Sequence, residues 1–191
     1  MKRVTMLLIT LIIFSSVTFA QDDGDGAFPK GSLAINLGVG LGNIYWGTGY
    51  GTNLPVSPTL SVDYALTKRI GIGNIGIGGL VSYSSTKYSS DIGSYSFSGI
   101  LIGVRGTYHF ILKSTKLDPY AGVLLGYIIT SSHYPNGVIT GYGYGPGGKA
   151  GAVQPGIFAG AHYFFVPHFG VFAELGYNGF SIFTLGITLK M

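Results

Sequence analysis

Cysteine is missing from this 191-residue chain, tryptophan occurs once, and Lys, Arg, Asp and Glu together make up only 9%. Ordinary soluble domains carry roughly 25% charged residues. Without cysteine there are no disulfides, no thiolate metal sites and no acylated cysteine behind a signal sequence. The shortage of charge excludes more, because a water-facing surface on a domain of this size needs many more ionised side chains. Helical membrane spans are excluded too. The two long uncharged stretches, Gly31 to Val62 and Pro119 to Gly148, are interrupted by Gly, Pro and Asn too often to cross as helices. The formal charge of +4 comes from scattered lysines and arginines, not from the clustered basic face that nucleic acid requires.

The first twenty residues, "MKRVTMLLITLIIFSSVTFA", have a basic start, an apolar centre and small residues before Ala20. This is the pattern of a cleaved secretory signal. Removing Lys2 and Arg3 with it leaves nine basic against seven acidic residues, a net charge of +2. The mature chain of about 170 residues suits one domain. It is expected to begin with a short periplasmic tail, residues 21–30, acidic from Gln21 to Asp25, followed by the main domain over residues 31–191.

What the sequence does hold is glycine (33), aromatics (14%) and a strict alternation of apolar with small or polar residues. A closed β-barrel is the other structure that satisfies every backbone group within a membrane, and its strands alternate between lipid and lumen with a period of two. Eight segments fit: Gly31 to Gly42, Ser57 to Leu66, Ile75 to Ser85, Phe97 to Leu112, Pro119 to Ser131, Ala152 to Phe165, Phe169 to Tyr177 and Phe183 to Met191. In the first, Leu33, Ile35, Leu37, Val39 and Leu41 share one face, with Ser32, Ala34, Asn36, Gly38 and Gly40 on the other. Most of these segments have the ~9 to 11 residues that a tilted strand needs to cross a bilayer. The expected fold is an all-β, eight-stranded antiparallel transmembrane β-barrel, an up-and-down meander.

Long links at 43–56, 86–96 and 132–151 alternate with short ones at 67–74, 113–118 and 166–167, the rhythm of extracellular loops and periplasmic turns. The last outer link, around Asn178 and Gly179, is tight. Aromatics on the apolar face fall at strand ends: Tyr83, Tyr127, Tyr177 and Phe183 toward one side, and Tyr64, Tyr108, Phe110, Tyr163, Phe165 and Phe169 toward the other. Two interfacial girdles explain that placement. A soluble lipocalin-like barrel would show the same alternation with its apolar face inward. Its other face would then be crowded with Lys and Glu, whereas here it is Gly, Ser, Thr and Ala with isolated charges.

The segments "SVDYAL", "GIGNIGIGGLVSY", "LDPYAGVLLGY" and "FGVFAELGYN" resemble the small eight-stranded barrels of the outer membrane protein A/X-like superfamily, in the form common in Bacteroidota. The likeness covers Ser32 to Met191. It implies a porin-like barrel in the cell envelope of a Gram-negative bacterium, surrounded by outer-membrane lipid and lipopolysaccharide. It also implies delivery by periplasmic chaperones and the barrel-assembly machinery. Family members usually end in an aromatic residue, where this chain ends in Met191.

The charges within the segments fall on inward positions: Asp63, Arg105, Glu174 and, near the periplasmic end, Lys190. An isolated charge there would be heavily penalised, so Arg105 is expected to bridge Asp63 and Glu174 with its planar fork. Enzymatic outer-membrane barrels use a histidine with a serine, and the candidates are His109, His133, His162 and His168. His133 follows Ser131 and Ser132 but lacks an acid and the His-x-Ser spacing. The four histidines have no metal-ligand spacing in sequence, so no metal or cofactor is expected. "GIGNIG" at Gly71 to Gly76 fits a dinucleotide fingerprint by letters, but it precedes a strand where the fingerprint needs a helix, and reads as a turn. The third long link alternates Gly and Tyr, and Tyr134, Tyr142 and Tyr144 suit adaptable contact with an extracellular sugar or protein. The function expected is that of a non-enzymatic structural barrel with surface binding or adhesion through its loops. The alternatives are a narrow channel for small solutes and a lipid A-modifying enzyme.

Overall fold

The computed structural model describes residues 26–43, 56–90, 93–133 and 149–191. Their backbone forms eight strands: β1 (Leu33–Asn43), β2 (Ser57–Ala65), β3 (Gly73–Ser90), β4 (Gly93–Phe110), β5 (Leu117–His133), β6 (Lys149–Val166), β7 (Phe169–Asn178) and β8 (Ser181–Lys190). Each pairs antiparallel with its neighbour in sequence, and β8 returns to β1 through pairs such as Leu37↔Ile187, closing the barrel. Closure leaves no sheet edge to satisfy.

Alternation decides which side chains face out. Val104, Val123, Ile157 and Leu175 are each 60% or more exposed, whereas their neighbours Arg105, Leu124, Phe158 and Glu174 are buried. An exterior of exposed Leu, Ile, Val and aromatic side chains around all eight strands is stable in hydrocarbon and insoluble in water. The core is therefore the lumen, and in an eight-stranded barrel it is just wide enough to be filled by side chains.

The strand boundaries differ from the sequence reading mainly at the end opposite the termini. β3 and β4 continue to the pair Ser90↔Gly93, so the expected long link 86–96 is mostly a paired ribbon. The letters from Lys87 to Ser96 show no apolar alternation, while backbone pairing continues. β5 starts at Leu117, two residues earlier than expected. That carries Asp118 out of a supposed turn and into the lumen, where it is buried. The tight β7–β8 link is present, with Gly179 at φ 85°, a conformation glycine adopts without strain. It turns Phe180 inward to full burial.

The tail expected at residues 21–30 is described in part. Its described part, from residue 26, folds back into the barrel mouth beside the termini, where Ala27 and Phe28 are 4% and 2% exposed. Asn74 Nδ2 donates to the Phe28 carbonyl at 2.6 Å, Lys190 Nζ to that of Ala27 at 2.7 Å, and Gly31 N to that of Ala65 at 2.9 Å.

The inside-out distribution gives a direct check. Val104→Arg, at mid-belt, is expected to destabilise the barrel by about 2–4 kcal/mol, and Val166→Arg, at the rim, by about 0–1 kcal/mol. Equilibrium unfolding in lipid vesicles measures both, and equal costs at the two positions would contradict a lipid-facing belt.

Candidate functional site

Inward positions on β2, β4 and β7 bring Asp63, Arg105 and Glu174 together. Arg105 Nη2 donates to Glu174 Oε1 at 2.6 Å, and Arg105 Nε lies 2.9 Å from Asp63 Oδ1 in an ion pair without hydrogen-bond alignment. The guanidinium also sits 4.2 Å above the Phe158 ring. That contact partly compensates Nη1, which has no hydrogen-bond partner. Glu174 accepts in addition from Tyr120 Oη at 2.8 Å and from Asn178 Nδ2. One arginine thus holds two carboxylates, and each carboxylate has polar partners of its own.

Glycine makes the room. A Cβ at Gly78 would stand 2.8 Å from Asp63 Oδ1, and one at Gly160 would stand 2.8 Å from Glu174 Cγ and 2.9 Å from Tyr120 Cζ. The nearest atoms are backbone carbonyl oxygens, those of Val62 and Ala173, so both the neighbouring strand and the acid side chains exclude a Cβ at these two positions.

Above Arg105, away from the termini, Leu80, Leu101, Leu124, Ile128, Phe158 and Phe180 form one buried cluster with Tyr120, and buried uncharged polar side chains such as Ser82, Ser84 and Gln154 share this half of the lumen. Below it, toward the termini, lies a second polar group that the sequence reading did not assemble. Asp118 Oδ2 is 2.9 Å from both His109 Nδ1 and His162 Nδ1. His109 Nε2 is 3.0 Å from Thr107 Oγ1, and His162 Nε2 is 3.1 Å from Asn36 Oδ1. Asn36 joins the two groups, since its Nδ2 donates to Asp63 Oδ2 at 3.2 Å and to Ser61 Oγ at 3.3 Å. Phe28 closes the bottom, with its ring centroid 4.3 Å from that of His109.

Thr107, His109 and Asp118 have the hydroxyl–imidazole–carboxylate order of an activated nucleophile. They lack access, however: Thr107 is 3% exposed, and the Phe28 ring lies against His109. In this arrangement the trio is a fixed hydrogen-bond structure.

His168 sits at the β6–β7 turn, exposed, with Nδ1 2.9 Å from the Lys190 carbonyl. His133 ends β5 and pairs through its backbone with Ser96. Tyr134, Tyr142 and Tyr144 lie outside the described residues, and "GIGNIG" is the β2–β3 turn and the start of β3, as expected of a turn.

Two substitutions test the arginine bridge. Arg105→Met leaves two buried carboxylates unpaired and is expected to cost about 3–5 kcal/mol, read as a lower thermal midpoint and lost heat-modifiable gel mobility. Asp63→Asn is expected to cost less, because Glu174 retains Arg105. Unchanged midpoint and mobility in Arg105→Met would rule the bridge out as a structural element.

No protein-family model and no curated protein sequence matches the chain. Solved structures do. The N-terminal β-barrel domain of Pseudomonas aeruginosa OprF aligns with a TM-score of 0.52 at 18% identity, over 85% of this chain and 98% of that one. Ail, the attachment invasion locus protein of Yersinia pestis, in complex with the heparin analogue sucrose octasulfate, aligns at 0.53 and 12% over 85% and 99%. The outer membrane protein OprG of Pseudomonas aeruginosa aligns at 0.54 and 10% over 88% and 99%. The chain has the closed eight-stranded fold of the small outer-membrane β-barrels.

Proposed function

We propose that the protein is a non-enzymatic structural barrel of a Gram-negative outer membrane, closed to solutes, with its termini in the periplasm and its long loops outside for surface contact. The observation that carries this reading is the filled lumen. Apolar packing around Phe180, the Arg105 bridge and the Phe28-capped histidine group block the axis at three successive levels. A conduit needs a continuous wet path, and buried side chains occupy each of these levels. His109 and His162 give no support to lipid chemistry, since both are buried in the lumen, away from the bilayer face where an acyl chain would lie.

Surface contact is supported by the Gly- and Tyr-rich third link with Tyr134, Tyr142 and Tyr144. The likeness to Ail, solved with a heparin analogue, makes sulfated sugar the first ligand to try. Lipid and lipopolysaccharide surround the belt, and chaperones with the assembly machinery deliver the chain.

Purified barrel in planar bilayers is expected to show no stable single-channel conductance; discrete, reproducible openings would overturn the closed reading. Cells expressing the full chain are expected to adhere to heparin-coated surfaces, and deletion of residues 141–148 is expected to reduce that adhesion. Equal adhesion by both would remove the role assigned to the loop.

A further inference from the structure

The described lumen holds three carboxylates, Asp63, Asp118 and Glu174, against one guanidinium, Arg105, all of them buried. If all three are ionised they carry two negative charges more than Arg105 offsets, and uncompensated charge in such a space is costly. Lys190 stands at the mouth, its ammonium donating to the Ala27 carbonyl and lying 4.3 Å from the Phe164 ring centroid. The Arg105 bridge already serves Asp63 and Glu174. The missing positive charge belongs beside Asp118.

Hydrogen-bond direction locates it further. Both of the Asn36 Nδ2 contacts are with acceptors, Asp63 Oδ2 and Ser61 Oγ, so its Oδ1 is the atom that faces His162 Nε2. An amide oxygen only accepts, and His162 Nε2 must carry a hydrogen. In a neutral ring Nδ1 then presents a lone pair, and it does so to Asp118 Oδ2 at 2.9 Å. Two lone pairs at that distance repel unless a proton or a metal ion lies between them. His109 turns the same nitrogen, Nδ1, to the same carboxylate, with both carboxylate oxygens within 3.1 Å.

We propose that His109 Nδ1, His162 Nδ1 and the Asp118 carboxylate bind one divalent transition-metal ion in the lumen. One donor atom from each residue lies within 4.8 Å of the other two. The 2.9 Å separations from Asp118 Oδ2 to each Nδ1 are close to the ~3.0 Å edge of an octahedron with ~2.1 Å arms. Two imidazoles and a carboxylate suit zinc, iron, nickel or cobalt better than magnesium or calcium, which prefer oxygen. The second nitrogen of each ring is held by a fixed polar partner, Thr107 Oγ1 or Asn36 Oδ1, as metal-bound histidines generally are. Two more buried oxygens at this end, Asn74 Oδ1 and Thr188 Oγ1, have no hydrogen-bond partner. Their strand partners include His109 and Asn36 respectively.

A divalent ion removes the excess of two negative charges while leaving both rings neutral. The competing arrangement makes His162 an imidazolium donating from Nδ1 to Asp118, with His109 neutral, its Nδ1–H donating to Asp118 and its Nε2 accepting from the Thr107 hydroxyl; it supplies one positive charge where the ion supplies two. Because Phe28 caps the group, the ion enters while the chain folds.

The full mature chain, folded into detergent with Co²⁺ or Zn²⁺ present and then desalted, is expected to retain about one ion per barrel by elemental analysis. The Co²⁺ form is expected to show ligand-field bands in its visible spectrum. Asp118→Asn and His162→Gln are expected to lose both signals, and His168→Gln, at the exposed turn, to keep them. Heat-modifiable mobility separates a variant that folds without metal from one that fails to fold. Wild-type barrel that folds with Co²⁺ and Zn²⁺ present yet holds neither ion would overturn the proposal, as would nitrogen NMR shifts showing His162 doubly protonated in the metal-treated protein.

Discussion

Everything inside this barrel follows from having its apolar side chains on the outside. Once the exterior is apolar, as the exposed Leu, Ile and Val of all eight strands make it, the buried charged side chains of the strands are confined to a lumen that eight strands leave narrow. Charges in such a space must neutralise one another there, since no solvent is at hand to do it. Arg105 therefore cannot be considered apart from Asp63 and Glu174, nor Asp118 apart from its two histidines. Asn36 makes the two groups one structure, because its amide serves an acid on one side and an imidazole on the other.

Packing and charge are arranged along the same axis. The half of the lumen nearer Phe180 is filled with hydrocarbon and uncharged polar side chains, and among the described residues the buried ionisable groups lie from Arg105 toward the opposite mouth. Small residues set the dividing level. Gly78 and Gly160 leave room for Asp63, Glu174 and Tyr120 where a methyl group would collide with them, so the glycine-rich face of the strands is a mould for the charged side chains opposite. The high glycine content is thus a packing requirement as much as a concession to turns.

Parity was legible in the sequence, and with it the strand count, the closed topology and the inward direction of Asp63, Arg105 and Glu174. Alternation reports only which face a residue takes, and a residue's height in the barrel depends on register and shear between strands. His109 and His162 are 53 positions apart in sequence, and nothing in their spacing states that they share a level. Asp118 was hidden for a second reason: reading Pro119 as the strand start left it in a turn, and starting β5 at Leu117 puts it inside. The signal that could have found the group is three inward, titratable residues, each a short distance from the same end of its strand. The ribbon beyond Thr86 was illegible because the letters from Lys87 to Ser96 carry no apolar alternation.

The docked tail carries a consequence for the order of assembly. Antiparallel neighbours in sequence can pair as hairpins while the chain is still open, and only the β1–β8 seam joins the two ends. The tail segment is held by groups from both ends of the chain: Ala65 at the end of β2, Asn74 on β3, the His109 ring on β4, and Lys190 near the last residue. No open sheet presents all of these at once. Phe28 precedes every strand in sequence, yet its seat is complete only after the final strand has closed the wall.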